Sequence, residues 1–192
     1  MHLEEPPSSD KMIELLEWAH ADLRKGYPAD SASYIMALFN GDPSVTTLHA
    51  GDCRLGQVLR DGAIRWLTKV HTLATAIEDL EDQELRPHPN RHLLTRAFKG
   101  KRFQTPECSS FDLQTVDGGL LLASDGFWAD LGEDEQVMVL RGLPVERKPP
   151  CDDVSCLHWT IPGYQGRPMT LTTKRNLVGQ PPQNLIIAPR KI

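Results

Sequence analysis

Hydrophobic positions along the chain change period several times, and the changes divide it into elements. Asp10 stands ahead of Met12, Leu15, Leu16, Ala19 and Leu23, which fall on one face of a helix, and a carboxylate at that place can cap the first turn. Gly26 and Pro28 predict where this helix stops. Short strand-like runs follow at 31–39, 44–51 and 54–60, and Asp61-Gly62 predicts a tight hairpin turn into a further strand at 63–67. From 72 to 85 the apolar residues Leu73, Ala76, Ile77, Leu80 and Leu85 return to helical spacing with acids between them. A turn and a short helix are expected over 88–100. Strand patterns resume at 109–116 and 120–124, and Asp117-Gly118-Gly119 between them predicts a second hairpin. A helix over 133–143 carries acids in its first turn, where the helix dipole favours them, and 154–161 alternates as a last strand. Hairpins with helices gathered in separate blocks predict an α+β layered domain of antiparallel sheets. The absence of a Gly-rich phosphate loop and of a βαβ series argues against a nucleotide-binding α/β fold.

Composition supports one domain with a real core: 192 residues, 40% hydrophobic and 24% charged. The net charge of −5 gives no electrostatic footprint for nucleic acid or an anionic membrane, and no apolar run approaches the roughly 18 residues of a membrane span. The charge is uneven, however. From Thr160 to Ile192 there is no acid, while Arg167, Lys174, Arg175, Arg190 and Lys191 are basic. The expected organisation is a disordered N-terminus over 1–11, a folded domain over 12–160, and a basic, Pro/Gly-rich extension over 161–192. That extension is either a solvated tail or a segment that docks on an acidic partner. Of the cysteines Cys53, Cys108, Cys151 and Cys156, only the last two lie close, at C-x4-C with no second pair, which is weak for zinc. Scattered thiols of this kind read as reduced cysteines of a cytoplasmic protein.

Three carboxylate-bearing turns stand at predicted strand ends: Gly51-Asp52, Ser124-Asp125-Gly126 and Asp152-Asp153. Asp125 follows Leu120, Leu121, Leu122 and Ala123, where an isolated buried charge is expensive. Either it sits in a strand-to-helix turn as a cap, or it is a carboxylate aimed at a metal or substrate. A hard divalent cation such as Mg2+ or Mn2+ takes oxygen ligands and keeps several waters, so one or two carboxylates per ion suffice.

Read in order, "HAGDCRLG" (49–56), "IRWLTKVHTLA" (64–74), "HLLTRAFKG" (92–100), "GLLLASDGFWADLGEDE" (119–135) and "CDDVSCLHW" (151–159) resemble the metal-dependent (PPM, type 2C) protein serine/threonine phosphatases. In that family the corresponding stretches read approximately G-D-S-R, L-T-x-D-H, l-T-r-a-l-G, l-L-x-S-D-G-l-w-d and D-N-x-T. The resemblance covers about residues 12 to 160. It implies a truncated four-layer α-β-β-α sandwich of antiparallel sheets, and metal-dependent hydrolysis of phosphoserine and phosphothreonine in proteins. Asp125 takes the place of the metal-binding Asp of S-D-G, between Ser124 and Gly126. Asp152 takes that of the Asp of D-N-x-T, with Asp153 in the Asn position and Ser155 in the Thr position. Asp52 and Arg54 belong to G-D-S-R, where Cys53 replaces the Ser, and the resemblance gives them a structural role in a turn near the site. His71 stands at the His of L-T-x-D-H with Val70 in the acid's place, and reads as structural.

The departures carry as much weight. The family opens with an acidic strand motif, a phosphate-binding Arg and a D-G-x-G-G-H segment, which supplies the carboxylate bridging two metals and a general acid. No D-G-x-G-G run occurs here, and the chain opens where the family's second helix would lie. No catalytic residue can therefore be carried over, and at most one weak Mn2+ or Mg2+ site, on Asp125 and Asp152, is expected. The absent segment contributes strands to both sheets in the family, so an exposed sheet edge or face is expected. The implied partners are a phosphoprotein or regulatory protein, a second copy, or a complementing chain. The implied functions are an incomplete phosphatase, a non-catalytic pseudophosphatase that binds protein, or a half-domain completed in trans.

Overall fold

The computed structural model describes residues 8–39, 44–112, 118–146 and 152–160. The fold divides into two compact units, Met1–Cys53 with Lys69–Thr115, and Arg54–Thr68 with Val116–Ile192.

In the first unit, helix α1 runs from Ser9 to Gly26, beginning inside the stretch expected to be disordered. Its cap is Ser8, whose Oγ accepts the Lys11 N–H, and not Asp10, which lies in the first turn and adds its charge to the positive helix end. The helix docks through His20 more than through its leucines. The His20 ring is buried edge-on to Phe98 and Phe103 with Nε2 at 3.0 Å from the Lys99 carbonyl, while Leu15 and Trp18 stay exposed. The strand expected at 31–39 is broken at Ser33 into β1 (Ser31–Ala32) and β2 (Tyr34–Phe39). Strand β3 (Ser44–Ala50) lies between β2 and a strand at Glu107–Asp112 in an antiparallel three-stranded sheet. Its central place explains why Val45, Thr47, Leu48, His49 and Ala50 are all buried.

The helix expected over 72–85 forms as two pieces, α2 (Leu73–Ile77) and α3 (Asp82–Leu85). Glu78, Asp79, Glu81 and Asp82 crowd like charges at i, i+3 and i, i+4 spacing across the join, which an unbroken helix could not relieve. In the break, Asp79 reaches Lys69 and Glu84 closes a capping bond on the Glu81 N–H. A 3-10 turn at Pro89–His92 and strand β6 (Phe98–Lys99), paired with β1, complete this part of the chain.

The second unit is built on a four-stranded antiparallel sheet. Strands β4 (Arg54–Val58) and β5 (Ile64–Trp66) make the hairpin expected at Asp61-Gly62, where Gly62 takes a φ of 95° and Asp61 accepts the Ala63 N–H. Among the described residues the expected second hairpin pairing is not present. Strand β7 (Glu107–Asp112) pairs with β3, whereas β8 (Gly119–Ala123) lies between β4 and β9 (Cys156–Thr160). The reason is in their burial. The Gly-Leu-Leu-Leu-Ala run is apolar and buried almost throughout, as a strand at the centre of a covered sheet is, while β7 alternates half-buried and exposed residues and suits an edge. After β8 come the single turn α4 (Asp125–Trp128) and helix α5 (Glu133–Leu140). The core holds Leu55, Leu120, Leu121, Phe127, Trp128 and Leu131.

This mixed α/β architecture with antiparallel sheets is the fold class that the sequence predicts. Among the described residues no helix is long and apolar enough to cross a membrane, and Cys53, Cys108 and Cys156 are thiols. Cys151, the turn residue Asp117 and the basic extension over 161–192 lie outside the described residues.

Candidate functional site

Strand β8 delivers its chain end to the turn Ser124-Asp125-Gly126, and this turn is stitched to the segment Asp152–Ser155 that leads into β9. Ser124 N–H donates to the Ser155 carbonyl at 2.9 Å, and Ser155 N–H returns a bond to Ser124 Oγ at 3.0 Å. The same hydroxyl donates to the Asp153 carbonyl at 3.2 Å. Gly126 lies so close to that carbonyl that a Cβ would collide with it. Local chemistry thus explains the residue types: a small hydroxyl that both gives and takes, then a residue without a side chain.

Asp125 is half-buried at the first position of α4, and Asp152 is exposed. Each has one carboxylate oxygen engaged by the next residue's backbone, Asp125 Oδ1 by Gly126 N–H at 2.9 Å and Asp152 Oδ1 by Asp153 N–H at 2.7 Å. The structure therefore brings together the two segments that carry Asp125 and Asp152, with Ser124, Gly126 and Asp153 as the connecting parts. It adds a carboxylate absent from the sequence reading: Asp130 Oδ2 accepts the Asp152 N–H at 3.4 Å. Asp130 follows the Phe-Trp pair of α4, and only the return of the chain toward β9 reveals its place.

Arg54 is buried in the same unit. Its Nε donates to the Thr68 carbonyl at 3.1 Å and its guanidinium lies over the rings of Trp66 and Trp128, 4.9 and 5.1 Å from their centroids. It thereby holds the end of α4 opposite Asp125. Gln136 on α5 acts on the same turn. Its buried amide reaches the carbonyls of Phe127, Trp128 and Leu131 at 3.3, 3.2 and 3.0 Å. Asp52 belongs to the first unit, where its N–H donates to Ser33 Oγ at 3.3 Å after Gly51, whose φ of 104° only a glycine adopts at ease.

A second polar group in the first unit was not legible as a site. His49 on β3 faces Glu107 on β7 in register, and His71 comes to them from the loop before α2. The His49 and His71 rings stack at 4.6 Å, 23° from parallel. His71 Nε2 lies 3.0 Å from Glu107 Oε2, its Nδ1 receives the Gly51 N–H at 3.3 Å, and Arg96 lies beside both partners. Burial, opposed by the Lys69 carbonyl, pushes the His49 pKa below its ordinary value. Glu107 resists the upward push of burial: the His71 hydrogen bond and the nearby His49, His71 and Arg96 hold it below the usual glutamate value. His49, His71 and Glu107 each offer a ligand atom within 4.8 Å of the others, and they are the one such set of three among the described residues.

No family model and no curated protein matches the sequence. Solved structures do match the fold. The Mycobacterium tuberculosis serine/threonine phosphatase PstP/Ppp superposes with a TM-score of 0.54 at 23% identity, over 72% of this chain and 62% of that one. The Staphylococcus aureus serine/threonine phosphatase Stp1 gives 0.56 at 20% identity, over 69% and 56%. The catalytic domain of PstP in complex with two manganese ions gives 0.53 at 21% identity, over 73% and 61%. The chain spans about three fifths of the length of such bacterial serine phosphatase structures. It therefore shares the fold of the serine/threonine phosphatases to which its motifs already point.

Proposed function

We propose that the chain is a PPM-type phosphatase-like domain in which Asp125 and Asp152 hold one Mn2+ or Mg2+ ion and present it to phosphorylated serine or threonine side chains of a partner protein in the cytoplasm. The observation that carries this reading is the stitching of Ser124-Asp125-Gly126 to Asp152–Ser155, which joins both predicted ligand-bearing segments through one hydroxyl. The donors are all oxygen, the chemistry a hard divalent cation takes. When bound, such an ion neutralises phosphoryl oxygens and acidifies a coordinated water. The chain's own contribution is to hold one carboxylate on a turn that Arg54 and Gln136 brace and the other on the segment stitched to that turn.

Full two-metal turnover asks for more ligands. Asp125 and Asp152 belong to no set of three metal-ligating side chains among the described residues. This favours a second reading beside the first: phosphoprotein binding with little or no hydrolysis, as in a pseudophosphatase, or activity restored by a second copy or a complementing chain. Hydrolysis of p-nitrophenyl phosphate with and without Mn2+, compared between the natural chain and Asp125→Asn, tests both. Turnover that needs Mn2+ and is lost in the variant supports catalysis. Mn2+-dependent retention of a phosphoserine peptide without turnover supports binding. If neither activity depends on Mn2+ or on Asp125, the proposal fails.

A further inference from the structure

The group of His49, His71 and Glu107 takes no part in the phosphatase reading, and hydrogen bonding leaves it incomplete. The Lys69 carbonyl can only accept, so His49 Nε2, 3.0 Å away, carries the ring proton. The lone pair then sits on Nδ1, which is buried with no hydrogen-bond partner. His49 itself is 0% exposed, so bulk solvent does not reach that nitrogen, and an unpaired buried acceptor calls for an explanation. The ring of His71 stacks on the His49 ring, and Glu107 faces His49 across the strand pair.

We propose that His49, His71 and Glu107 form a three-ligand site for a transition-metal ion of the zinc class, for which the Arg96 guanidinium stands in while no metal is bound. Two imidazoles and a carboxylate are a donor set that such an ion takes, with a water in the fourth position. A cation already occupies the neighbourhood: Arg96 Nη1 lies 3.2 Å from His71 Nε2 and 3.6 Å from Glu107 Oε2. The Arg96 side chain is 38% exposed, so it can withdraw into solvent. The bond from His49 Nε2 to the Lys69 carbonyl is the kind of outer contact that fixes a ligating histidine in the correct tautomer.

Binding has to undo two contacts. Gly51 N–H donates to His71 Nδ1, which leaves the proton of a neutral ring on Nε2, directed at Glu107. Ligation through Nε2 needs the other tautomer and ends both bonds. The rings are also near parallel, so the less buried ring of His71 must turn before both in-plane lone pairs meet one ion. The 4.8 Å spread of ligand atoms must close toward the roughly 3.5 Å that separates neighbours around an ion with bonds of about 2.1 Å. Giving up two hydrogen bonds weakens binding by roughly 10–100-fold, so an affinity of about micromolar is expected in place of the tighter values of preformed structural zinc sites.

Titration of the tag-free full chain with Co2+ alone, read as tetrahedral ligand-field absorption and reversed by Zn2+, tests the proposal. One equivalent is expected. Glu107→Gln, at a half-exposed position and of nearly equal size, should weaken binding at least about tenfold, while Arg96→Gln should tighten it about tenfold by removing the competing cation. Asp125→Asn should leave Co2+ binding here unchanged, which separates this site from the oxygen site proposed above. Absence of Co2+ binding in both the natural chain and Arg96→Gln overturns the proposal. So does binding that Glu107→Gln leaves intact.

Discussion

Replacing Gln136 by methionine removes one amide while keeping the length of the side chain. Gln136 is 2% exposed, and its Nε2 stands 3.0–3.3 Å from the carbonyls of Phe127, Trp128 and Leu131. Two N–H hydrogens shared among three acceptors amount to about two hydrogen bonds, each worth about 0.5–1.5 kcal/mol net. The expected loss is therefore about 2 kcal/mol. At this chain length it lowers Tm by about 4–8 °C, readable by thermal melting monitored by circular dichroism. Because these carbonyls end the turn that Asp125 begins, Mn2+ affinity should fall several-fold as well. Gln136→Glu supplies a control for volume. A carboxylate facing three carbonyl oxygens is repelled, so its folded-state pKa rises, and the variant should be less stable than Gln136→Met at neutral pH and recover as the pH falls and the carboxyl gains a donor. A Tm change under about 1 °C for both variants would refute the reasoning, because it would mean that the amide does not brace the turn.

Ser124→Ala removes a hydroxyl that takes one bond and gives another; it should cost about 1–2 kcal/mol in a urea titration and weaken Mn2+ binding several-fold, and unchanged Mn2+ affinity would show that the stitching does not position the carboxylates. Gly126→Ala places a methyl against the Asp153 carbonyl, so overpacking of about 1–3 kcal/mol is expected in the same assay. The buried histidines predict acid lability. His49 and His158 are held below the ordinary histidine pKa chiefly by burial, so the folded state binds fewer protons there than the unfolded chain. Their stabilising contribution is complete above about pH 6.5 and is lost as the pH falls through the lowered folded values; Glu107, also held low, adds its loss only at more acid pH, below its ordinary value of 4.5. The urea midpoint should therefore drop between pH 7.5 and 5.5, and His49→Gln should drop less; an equal drop in both would remove His49 from the account.

Most elements were legible because their causes are local. Asp61-Gly62 demands its turn wherever the strands go, and the acids of α5 suit the first turn of any helix. The apolar spacing over 72–85 fits one helix, but the acids at 78, 79, 81 and 82 repel one another along it and split it, a balance that periodicity does not weigh. The pairing of β7 and β8 with different partners has a different cause. Proximity in sequence favours pairing, yet an apolar-on-both-faces strand takes the centre of one sheet and an alternating strand the edge of another, a choice made by burial across the fold. The same division holds at the candidate site. Asp125 and Asp152 could be named from motifs, whereas Asp130 beside Asp152, Gln136 beneath the turn and the pairing of His49 with Glu107 depend on contacts that no local pattern encodes.

The central claim is that Asp125 and Asp152 share one hard cation. Titration of Mn2+ into the tag-free chain, with unbound Mn2+ read by its electron paramagnetic resonance signal, tests it most directly in the natural chain, Asp125→Asn and Asp152→Asn. Asparagine keeps the side-chain oxygen that accepts the next residue's N–H at both positions, so the fold should melt at nearly the same temperature in all three. The account predicts one bound equivalent, weakened at least about tenfold by either substitution. Identical titrations in the three proteins would contradict it and leave Asp125 as the first residue of a helical turn.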